Sequence, residues 1–519
     1  MHAPAPEPQL PPAAVGPAAV GGRPQGWRER LEARLPLVVW AVVLVTLCWV
    51  PLKVISCGFL PRDDALRYAA KAVSGKTWAE VLLLRPGVLL DHNPGWNWIL
   101  SRVHALTGCG ADALVVVAVL GLWLLFNLSA LPWLRRPESW LLALLTCVVC
   151  RPGMVSRLAL GRPFLFSTAA LVVLLLVWER AEESNRGLVG RRLLSVGLFF
   201  GAAWIHGSWY LFALLVGAFY AAGQWRKGHE LLGCWAGGTV LGALVTGHPL
   251  EFLFAETHIW FQTFGEHVLQ RFLVSEYQPA DGAFPVLVAV LGVLLLRRVV
   301  GQTVSQPLAS PALMLGAVAW LLGFRVGRVW NDWGMPAIAV WLTLQFEDLL
   351  GQWQPPRALG RLYATGFCAL GLFWAATNDV NGRWTMNLTR QYLSAEDPGI
   401  APWLPEPGGI VYDDDMLVFY GMFFKNPNAP WRYVLGFEPT FMPEEDLRIY
   451  RNIQWNYGAW KAYAPWVAKM RPPDRMILET GYNHPPGIEG LEWHYAATDT
   501  WVGRLPRPQR TGHAAATRP

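Results

Sequence analysis

Residues 35–55 read LPLVVWAVVLVTLCWVPLKVI, and the polar stretch GFLPRDDALRYAAKAVSGK follows almost at once at residues 58–76. A helix of ~20 apolar residues crosses the hydrocarbon core of a bilayer, so the first stretch predicts a transmembrane helix. The second stretch carries the adjacent acids Asp63 and Asp64, with basic residues close by. The chain therefore places a pair of carboxylates at the point where it leaves the membrane.

Charge is scarce along the rest of the chain. Charged residues make up 15% of the 519 residues, hydrophobic residues make up 53%, and the mean hydropathy is +0.27. A soluble chain carries about 25% charged residues, so this composition predicts an integral membrane protein. Many of the 29 Trp fall near the ends of apolar runs, where indole rings anchor at the headgroup level. The net charge of +6 is concentrated in short loops, which indicates membrane topology rather than a nucleic-acid surface.

Apolar runs recur as far as residue 377 and predict about eleven transmembrane helices. They lie at about 35–55, 111–134, 139–150, 164–178, 193–205, 209–224, 231–247, 284–296, 311–324, 334–346 and 360–377. The run from 193 to 224 is broken at Gly207 and Ser208, which predicts a tight turn between two crossings. Basic clusters fall at every second crossing when the N-terminus is cytoplasmic, and the C-terminus is then external. The predicted location is the cell inner (plasma) membrane.

The sequence predicts an α-helical polytopic membrane protein with a small α/β domain at its C-terminal end. Residues 1–34 predict a disordered cytoplasmic tail, because their first part is rich in Pro and Ala. Residues 35–377 form the predicted multi-pass domain, with long external loops at 56–110 and 248–283. Residues 378–519 are polar and carry strand-like runs such as GIVYD and helix-like runs such as PEEDLRIYRNIQ, which predict the extracytoplasmic α/β domain.

Arginine is unexpectedly frequent on the predicted external side, where the positive-inside rule disfavours it. The planar guanidinium donates two parallel hydrogen bonds and suits phosphate, so recurrence at several helix ends indicates an anion site at the membrane face. We expect ion pairs with nearby acids, such as Glu251, Glu276 or Asp332, to account for about half of these residues. The external arginines are Arg62, Arg67, Arg85, Arg102, Arg151, Arg157, Arg162, Arg271, Arg325 and Arg328.

Two interpretations of the acid pair stay open. Asp is favoured at helix N-termini, so the pair is typical of a capped helix start. A carboxylate facing phosphate-binding arginines also suits a general base that takes a proton from an acceptor hydroxyl or amine. Adjacent residues on a helix point about 100° apart, so only one of Asp63 and Asp64 faces a substrate.

The sequence around the acids resembles the first external loop of the GT-C superfamily of membrane glycosyltransferases. DDALRYAAKAVSG at 63–75 and DHNPGWNWILSRVHALTG at 91–108 carry that loop's acidic pair, a Tyr at Tyr68, a Gly at Gly75 and a His-x-Pro at His92. The stretches are similar to the protein mannosyltransferase and lipid A aminoarabinose transferase branch and its uncharacterised bacterial relatives.

Further matches to that branch follow in the same order along most of residues 35–440. They are GRPFLFS at 161–167, WIHGSWYLFAL at 204–214, VSEYQPAD at 274–281 and FRVGRVWNDWGMPAIAV at 324–340. Each motif is short, so the specificity comes from their succession.

The resemblance implies an inverting transfer from a polyprenyl-phosphate-linked sugar to an extracytoplasmic glycan, lipid or protein acceptor, with Asp63 as the base. Asp64 stands where a Glu is commoner, which leaves open which acid is the base and what the second acid does. Some branches use a divalent metal such as Mg²⁺ or Mn²⁺ at the acids and others use none, and both alternatives stay open. The residues assigned to substrate and lipid phosphate are Arg62, Tyr68, His92, Arg157, Arg162, His206, Arg325 and Arg328.

The acidic run Asp413–Asp415 lacks the Gly and distal Glu of a calcium loop and predicts a strand end followed by a capped turn.

A glycosyltransferase is the leading hypothesis, and a non-enzymatic membrane protein is the alternative. The alternative is a transporter or flippase for a lipid-linked glycan, or a catalytically inactive GT-C relative in an envelope glycan assembly complex. A transporter predicts repeated halves and charges near the membrane midplane. The sequence has no evident internal repeat and its charges gather at one predicted face, which favours the enzyme.

Overall fold

The computed structural model describes residues 27–88, 91, 93–180, 187–265, 278–352, 358–481 and 484–507, and it is mainly helical with one small sheet. The α-helices are α1 (Trp27–Ser56), α2 (Asp64–Ser74), α3 (Trp78–Val81), α4 (Pro94–Thr107), α5 (Ala111–Ser129), α6 (Pro137–Cys150), α7 (Gly153–Leu158), α8 (Phe164–Glu179), α9 (Leu188–His206), α10 (Phe212–Ala221), α11 (Trp225–Val245), α12 (Pro249–Gly265), α13 (Phe284–Val299), α14 (Ser305–Leu308), α15 (Pro311–Gly323), α16 (Gly327–Val329), α17 (Met335–Gln352), α18 (Ala358–Thr377), α19 (Met416–Lys425), α20 (Glu444–Trp455) and α21 (Ala464–Lys469). A π-helical turn, Trp330–Gly334, joins α16 to α17.

Within the described residues, three helices are long and apolar enough to cross a membrane: Arg34–Ser56, Ala111–Trp133 and Leu188–His206. A fourth span arises if α11 and the start of α12, which meet at a bend of 113°, cross together. Several other apolar helices have only 10 to 17 residues. The 16 residues of α8 reach about 24 Å against a hydrocarbon core of about 30 Å. The structure thus shows three or four candidate spans, and the larger number stays a prediction.

Two predictions about helix ends have different outcomes. Residues 1–26 of the predicted tail lie outside the described residues. Helix α1 begins at Trp27, ahead of the predicted boundary at residue 35. The segment WRERLEAR is rich in Arg, Glu, Leu and Ala, which favour helix, and it extends the helix of the first span. The break in the run 193–224 is confirmed, because α9 ends where Gly207 adopts a φ of 71° and a short 3-10 turn leads into α10.

The C-terminal region, residues 378–507, contains a small α/β fold built on five strands. These are β1 (Ile410–Tyr412), β2 (Arg432–Tyr433), β3 (Arg475–Glu479), β4 (Glu492–Ala497) and β5 (Thr500–Arg504), in the order β2-β1-β3-β5-β4. β1 is parallel to β2 and β3, and β5 is antiparallel to β3 and β4. Asp415 follows β1 and caps α19 by accepting the backbone N–H of Leu417 at 2.9 Å, which confirms the predicted capped turn.

The two faces of this sheet pack on different parts of the protein. Alternate strand residues point to opposite faces. Val411 and Ile477 join the large apolar core that includes the helices of the membrane region, and Tyr412 and Met476 join a smaller core with residues of α20 and α21. α19 lies on the first side and packs against α2.

The segment after the first span is also bound to the C-terminal region by backbone contacts. The Leu83 N–H donates to the Tyr433 carbonyl at 2.9 Å, and the Arg85 N–H donates to the Phe441 carbonyl at 2.8 Å. Lys76 Nζ reaches the Ala429 carbonyl at 2.6 Å. The acid pair and the C-terminal region therefore lie on the same side of the helical region.

Candidate active site

The acid pair lies at the start of α2. Asp63 is the N-cap of the helix, with an extended backbone, and its Oδ1 accepts the backbone N–H of Asp64 at 2.5 Å. The cap interpretation is therefore observed for Asp63. The partial positive charge at a helix N-terminus favours the ionised form of both carboxylates.

Arg162 comes from a distant segment and contacts both acids. Its Nε donates to Asp63 Oδ1 at 2.6 Å and lies 3.3 Å from Asp64 Oδ2, and its Nη2 also contacts Asp63 Oδ1. The side chains of Asp63 and Asp64 are 13% and 17% exposed. The acids are thus ion-paired but still within reach of solvent.

The turn before Arg162 needs a glycine. Gly161 has a φ of 64°, and a Cβ at this position would lie 2.9 Å from Val119 Cγ2 and 3.3 Å from the Ala65 Cβ. Left-handed backbone without a Cβ lets the turn approach α2 closely. The sequence GRP therefore delivers the Arg162 guanidinium to the acids and starts α8 after Pro163.

Asp64 is held by donors from two segments. Arg67 Nε donates to its Oδ1 at 2.6 Å, and Arg162 Nε lies 3.3 Å from its Oδ2. Burial alone would raise the pKa of Asp64, but the charges of Arg67 and Arg162 and the hydrogen bond from Arg67 outweigh it and lower the pKa from 3.8 to about 2. Asp64 is therefore a stable anion and a weak base.

Tyr68 is buried beside this network. Its hydroxyl accepts Arg67 Nη2 at 2.8 Å and Asn93 Nδ2 at 2.5 Å, and the Arg67 guanidinium lies 4.1 Å from the ring centre. Burial raises the pKa of Tyr68 well above its ordinary value. Tyr68 thus links the acid helix to the loop before α4, where His92 lies outside the described residues.

Arg62 precedes the acids in sequence, but its guanidinium is directed toward the C-terminal region. Its Nη2 lies 2.8 and 2.9 Å from the two carboxylate oxygens of Glu479, at the end of β3. Arg390 reaches the same carboxylate at 2.5 Å. Arg62 therefore joins the acid loop to the C-terminal region.

Two other predicted arginines converge on a different carboxylate, Asp332 in the π-helical turn. Arg157 forms a bidentate pair with Asp332, with two nitrogen–oxygen distances of 2.8 Å, and Arg328 Nε lies 3.3 Å from the same side chain. Asp332 is 5% exposed. We call Arg157, Arg328 and Asp332 the cationic cluster, because two guanidiniums share one carboxylate.

A cavity of about 160 Å³ adjoins the cationic cluster. Arg151, Arg157, Asn331 and Asp332 form its polar wall, and apolar side chains such as Phe126 form the rest. A wall of this kind suits an anionic headgroup followed by an apolar chain. π-Helical turns such as the one that carries Asn331 and Asp332 are frequent at functional sites.

The two remaining predicted residues lie elsewhere. His206 ends α9, where its Nδ1 is 2.5 Å from Ser208 Oγ and 3.2 Å from Ser167 Oγ, so it orders the turn after Gly207. Arg325 is exposed just beyond α15. The structure thus brings together Asp63, Asp64, Tyr68 and Arg162, and separately Arg157 and Arg328.

The described residues at the acid pair do not form a Mg²⁺ or Mn²⁺ site. No described group of three or more His, Cys, Asp and Glu side chains is placed to hold a metal ion. Arg162 contacts both Asp63 and Asp64, and Arg67 contacts Asp64 as well, so guanidiniums stand where a cation needs oxygen ligands.

Sequence reasoning did not assign a site role to Arg67, Asn93 and Asp332. Arg67 had a usable signal, because residues three apart on a helix are neighbours and Arg67 is at that spacing from Asp64. Asn93 had none, because only the tertiary fold brings it to α2.

Comparison with known proteins finds no matching protein-family model and no similar curated protein. The assignment of a reaction therefore depends on the residues and their geometry.

Proposed function

We propose that this protein is a GT-C-type glycosyltransferase that moves a sugar from a polyprenyl-phosphate donor to an extracytoplasmic acceptor with inversion. The observation that carries the proposal is the contact of Arg162 with Asp63 and Asp64, which joins two motifs from distant parts of the chain. In this proposal the N-terminus is cytoplasmic, and the acid pair and the C-terminal domain face outward.

Asp63 is the general base of the proposed reaction. It takes the proton as an acceptor hydroxyl or amine forms a bond to the anomeric carbon, and the bond from that carbon to the phosphate oxygen breaks. The electron pair of the broken bond leaves with the polyprenyl phosphate. Asp64, with a pKa of about 2, is too weak a base for this step and orients Arg162 instead.

The cavity supports placing the phosphate at the cationic cluster. Arg157 and Arg328 both contact Asp332, and Arg151 and Arg157 line the cavity. At the acid pair, Arg162 contacts Asp63, and Arg67 and Arg162 contact Asp64. Guanidiniums beside a cavity can stabilise an anionic phosphate, and such stabilisation is usually the largest catalytic contribution.

One segment connects the two clusters. Arg157 lines the cavity and Arg162 contacts the acids, and five residues of chain span at most ~18 Å. The ring centre of Phe164, two residues after Arg162, lies 4.7 Å from the Arg157 guanidinium, and Phe164 also lines the cavity. We therefore place the donor phosphate in the cavity and the acceptor at Asp63.

The test is to reconstitute the protein in liposomes with radiolabelled polyprenyl-phosphate mannose, glucose or arabinose and to measure release of polyprenyl phosphate. The proposal expects turnover with at least one donor, and 10²- to 10⁴-fold less turnover in Asp63→Asn. Turnover with none of the three donors, together with passage of a labelled donor between leaflets, would instead support a transporter. Both acids are ion-paired in the structure, which is the observation that favours an inactive relative, and donor binding without turnover or passage is its expected result.

A further inference from the structure

A second cavity, of about 60 Å³, lies between α6, α17 and α18. Arg136, Glu138 and Arg361 line it together with apolar side chains from the three helices. Arg136 precedes α6 and Arg151 follows it, and a helix of this length separates its two ends by about 20 Å. The second cavity is therefore remote from the one at the cationic cluster, and in the proposed topology it lies at the cytoplasmic face.

Glu138 is a buried acid with one oxygen left over. It is 6% exposed, and its Oε1 accepts Arg361 Nε at 2.7 Å. Its Oε2 is buried and accepts no hydrogen bond within the described part of the chain. The first turn of a helix favours a carboxylate, and the Arg361 pair balances its charge, but neither supplies a donor to Oε2. A buried charged oxygen without a donor is costly, so a ligand that carries an N–H or O–H group would stabilise this site.

The two arginines supply the complementary chemistry. The Arg361 side chain is 21% exposed although it is paired with Glu138, so part of its guanidinium is open to a ligand. Arg136 is also partly exposed, and its backbone is fixed by donation of its N–H to Glu347 Oε1 at 2.8 Å. Guanidiniums favour phosphate because their planar fork donates parallel hydrogen bonds. The cavity thus offers donors for a phosphate and an acceptor for a cationic group.

The surroundings indicate a lipid as the source of such a ligand. Leu142 and Leu350 form part of the apolar wall. Along α18, large apolar side chains are exposed at helical spacing, which is typical of a surface that meets a membrane. They are Tyr363, Phe367, Leu370 and Trp374.

We propose that this cavity binds the headgroup of a phospholipid that carries an amine with N–H groups, such as phosphatidylethanolamine. The phosphate lies against Arg136 and Arg361, the ammonium donates to Glu138 Oε2, and the acyl chains follow the apolar wall into the bilayer. The site shares no residue with the acid pair or the cationic cluster, so its failure would leave the proposed transferase untouched.

The first test compares two lipids on the natural protein. The full chain in detergent receives an equimolar mixture of phosphatidylethanolamine and phosphatidylcholine, and native mass spectrometry measures which one is retained. The choline headgroup has the same charge but no N–H. We expect retention of the ethanolamine lipid to be about tenfold higher, the equivalent of one hydrogen bond to a charged group. Equal retention would overturn the proposal.

A third lipid separates hydrogen bonding from headgroup size. The N,N-dimethylethanolamine headgroup keeps one N–H but is nearly as bulky as choline. We expect it to compete like phosphatidylethanolamine. Competition at the level of phosphatidylcholine, or a preference for phosphatidylglycerol over all three, would overturn the ammonium contact with Glu138.

Variants locate the preference. We expect Glu138→Gln to bring the ratio of the two lipids close to one, and Arg136→Gln to lower retention of both about tenfold while the ratio stays the same. Arg135→Gln is the matched control, because Arg135 is adjacent and exposed but does not line the cavity, and we expect it to change neither quantity. An unchanged preference in folded Glu138→Gln would overturn the site. If that variant does not fold, the lipid comparison on the natural protein and on Arg136→Gln decides.

Discussion

The acid pair and the cationic cluster are both built from arginine–aspartate contacts, but they differ in their surroundings. At the acid pair two guanidiniums meet two carboxylates, and Arg67 and Arg162 hold Asp64. In the cationic cluster two guanidiniums meet one buried carboxylate beside a cavity. Guanidiniums beside a cavity can stabilise an anion. The proposed function therefore uses the first cluster for positioning and proton transfer and the second for phosphate binding.

Asp63→Asn tests the proposed proton-transfer role of the acid pair and has the largest expected effect. Asn still caps a helix, so α2 should form, but the amide cannot take up the acceptor's proton. We expect kcat to fall 10²- to 10⁴-fold, while the protein stays folded with an unfolding midpoint lowered by the loss of the charge that pairs with Arg162. Turnover of polyprenyl-phosphate sugar in liposomes measures the first quantity. A variant that is folded and fully active would remove Asp63 from the mechanism.

Asp64→Asn tests whether the second acid is mainly a fixed anion. The folded-state pKa of about 2 is below the ordinary 3.8, so the carboxylate contributes stability that is present above pH ~4 and is lost as the pH falls toward 2. We expect the variant to be less stable by about 2 kcal/mol at pH 7, and the difference to shrink below pH ~4.

Thermal unfolding from pH 2 to 7 measures this difference. Asp112→Asn is the control, because the ion pair of Asp112 with Lys425 is exposed and such pairs contribute little. A stability difference between Asp64→Asn and the natural protein that stays constant down to pH 2 would contradict the account.

Arg328→Gln tests the second guanidinium of the cationic cluster. Arg328 makes the longer contact with Asp332, so its loss leaves the bidentate Arg157 pair intact and removes one positive charge. We expect the KM for the donor to rise about tenfold, the equivalent of one charge-assisted hydrogen bond to phosphate.

Arg62→Gln is the matched variant for this test, because its partner Glu479 keeps Arg390. We expect its donor KM to be unchanged in the same liposome assay. Equal changes in the two variants would mean that the cationic cluster has no special part in donor binding.

Gly161→Ala tests the turn that delivers Arg162, with Gly75→Ala as its pair. Both glycines have a φ of 64°, but a Cβ at Gly161 meets Val119 and Ala65, whereas a Cβ at Gly75 meets nothing within 4 Å. Both variants carry the backbone strain of about 1 kcal/mol, and only Gly161→Ala should also reduce kcat. Identical turnover in the two variants would count against Arg162 as an organiser of the acids.

How much of this was predictable differs between the two clusters. The acid pair, its cap and its helix followed from local sequence, because Asp at a helix start and Gly75 at its end are local signals. Arginines close to Asp63 were predicted, and Arg162 does contact it. Pairing of some external arginines with acids such as Asp332 was predicted too, but which arginine reaches which acid was not, since nothing local joins residues so far apart in sequence.

The C-terminal region shows a similar limit. The strand-like run GIVYD located β1 and the helix-like run PEEDLRIYRNIQ located α20, but the β4–β5 hairpin was not assigned, and the packing of α19 on α2 had no sequence signal. Membrane spans were the least secure prediction, because helices of 10 to 17 residues are apolar enough for a bilayer but short of its thickness.

The most direct test of the central claim is an experimental structure of the full protein with polyprenyl phosphate bound. The account predicts the phosphate in the cavity, in contact with Arg157 or Arg328, with Asp63 separated from it by the space of one sugar. A phosphate bound away from the cationic cluster, or farther from Asp63 than one sugar can bridge, would contradict the division of roles between the two clusters.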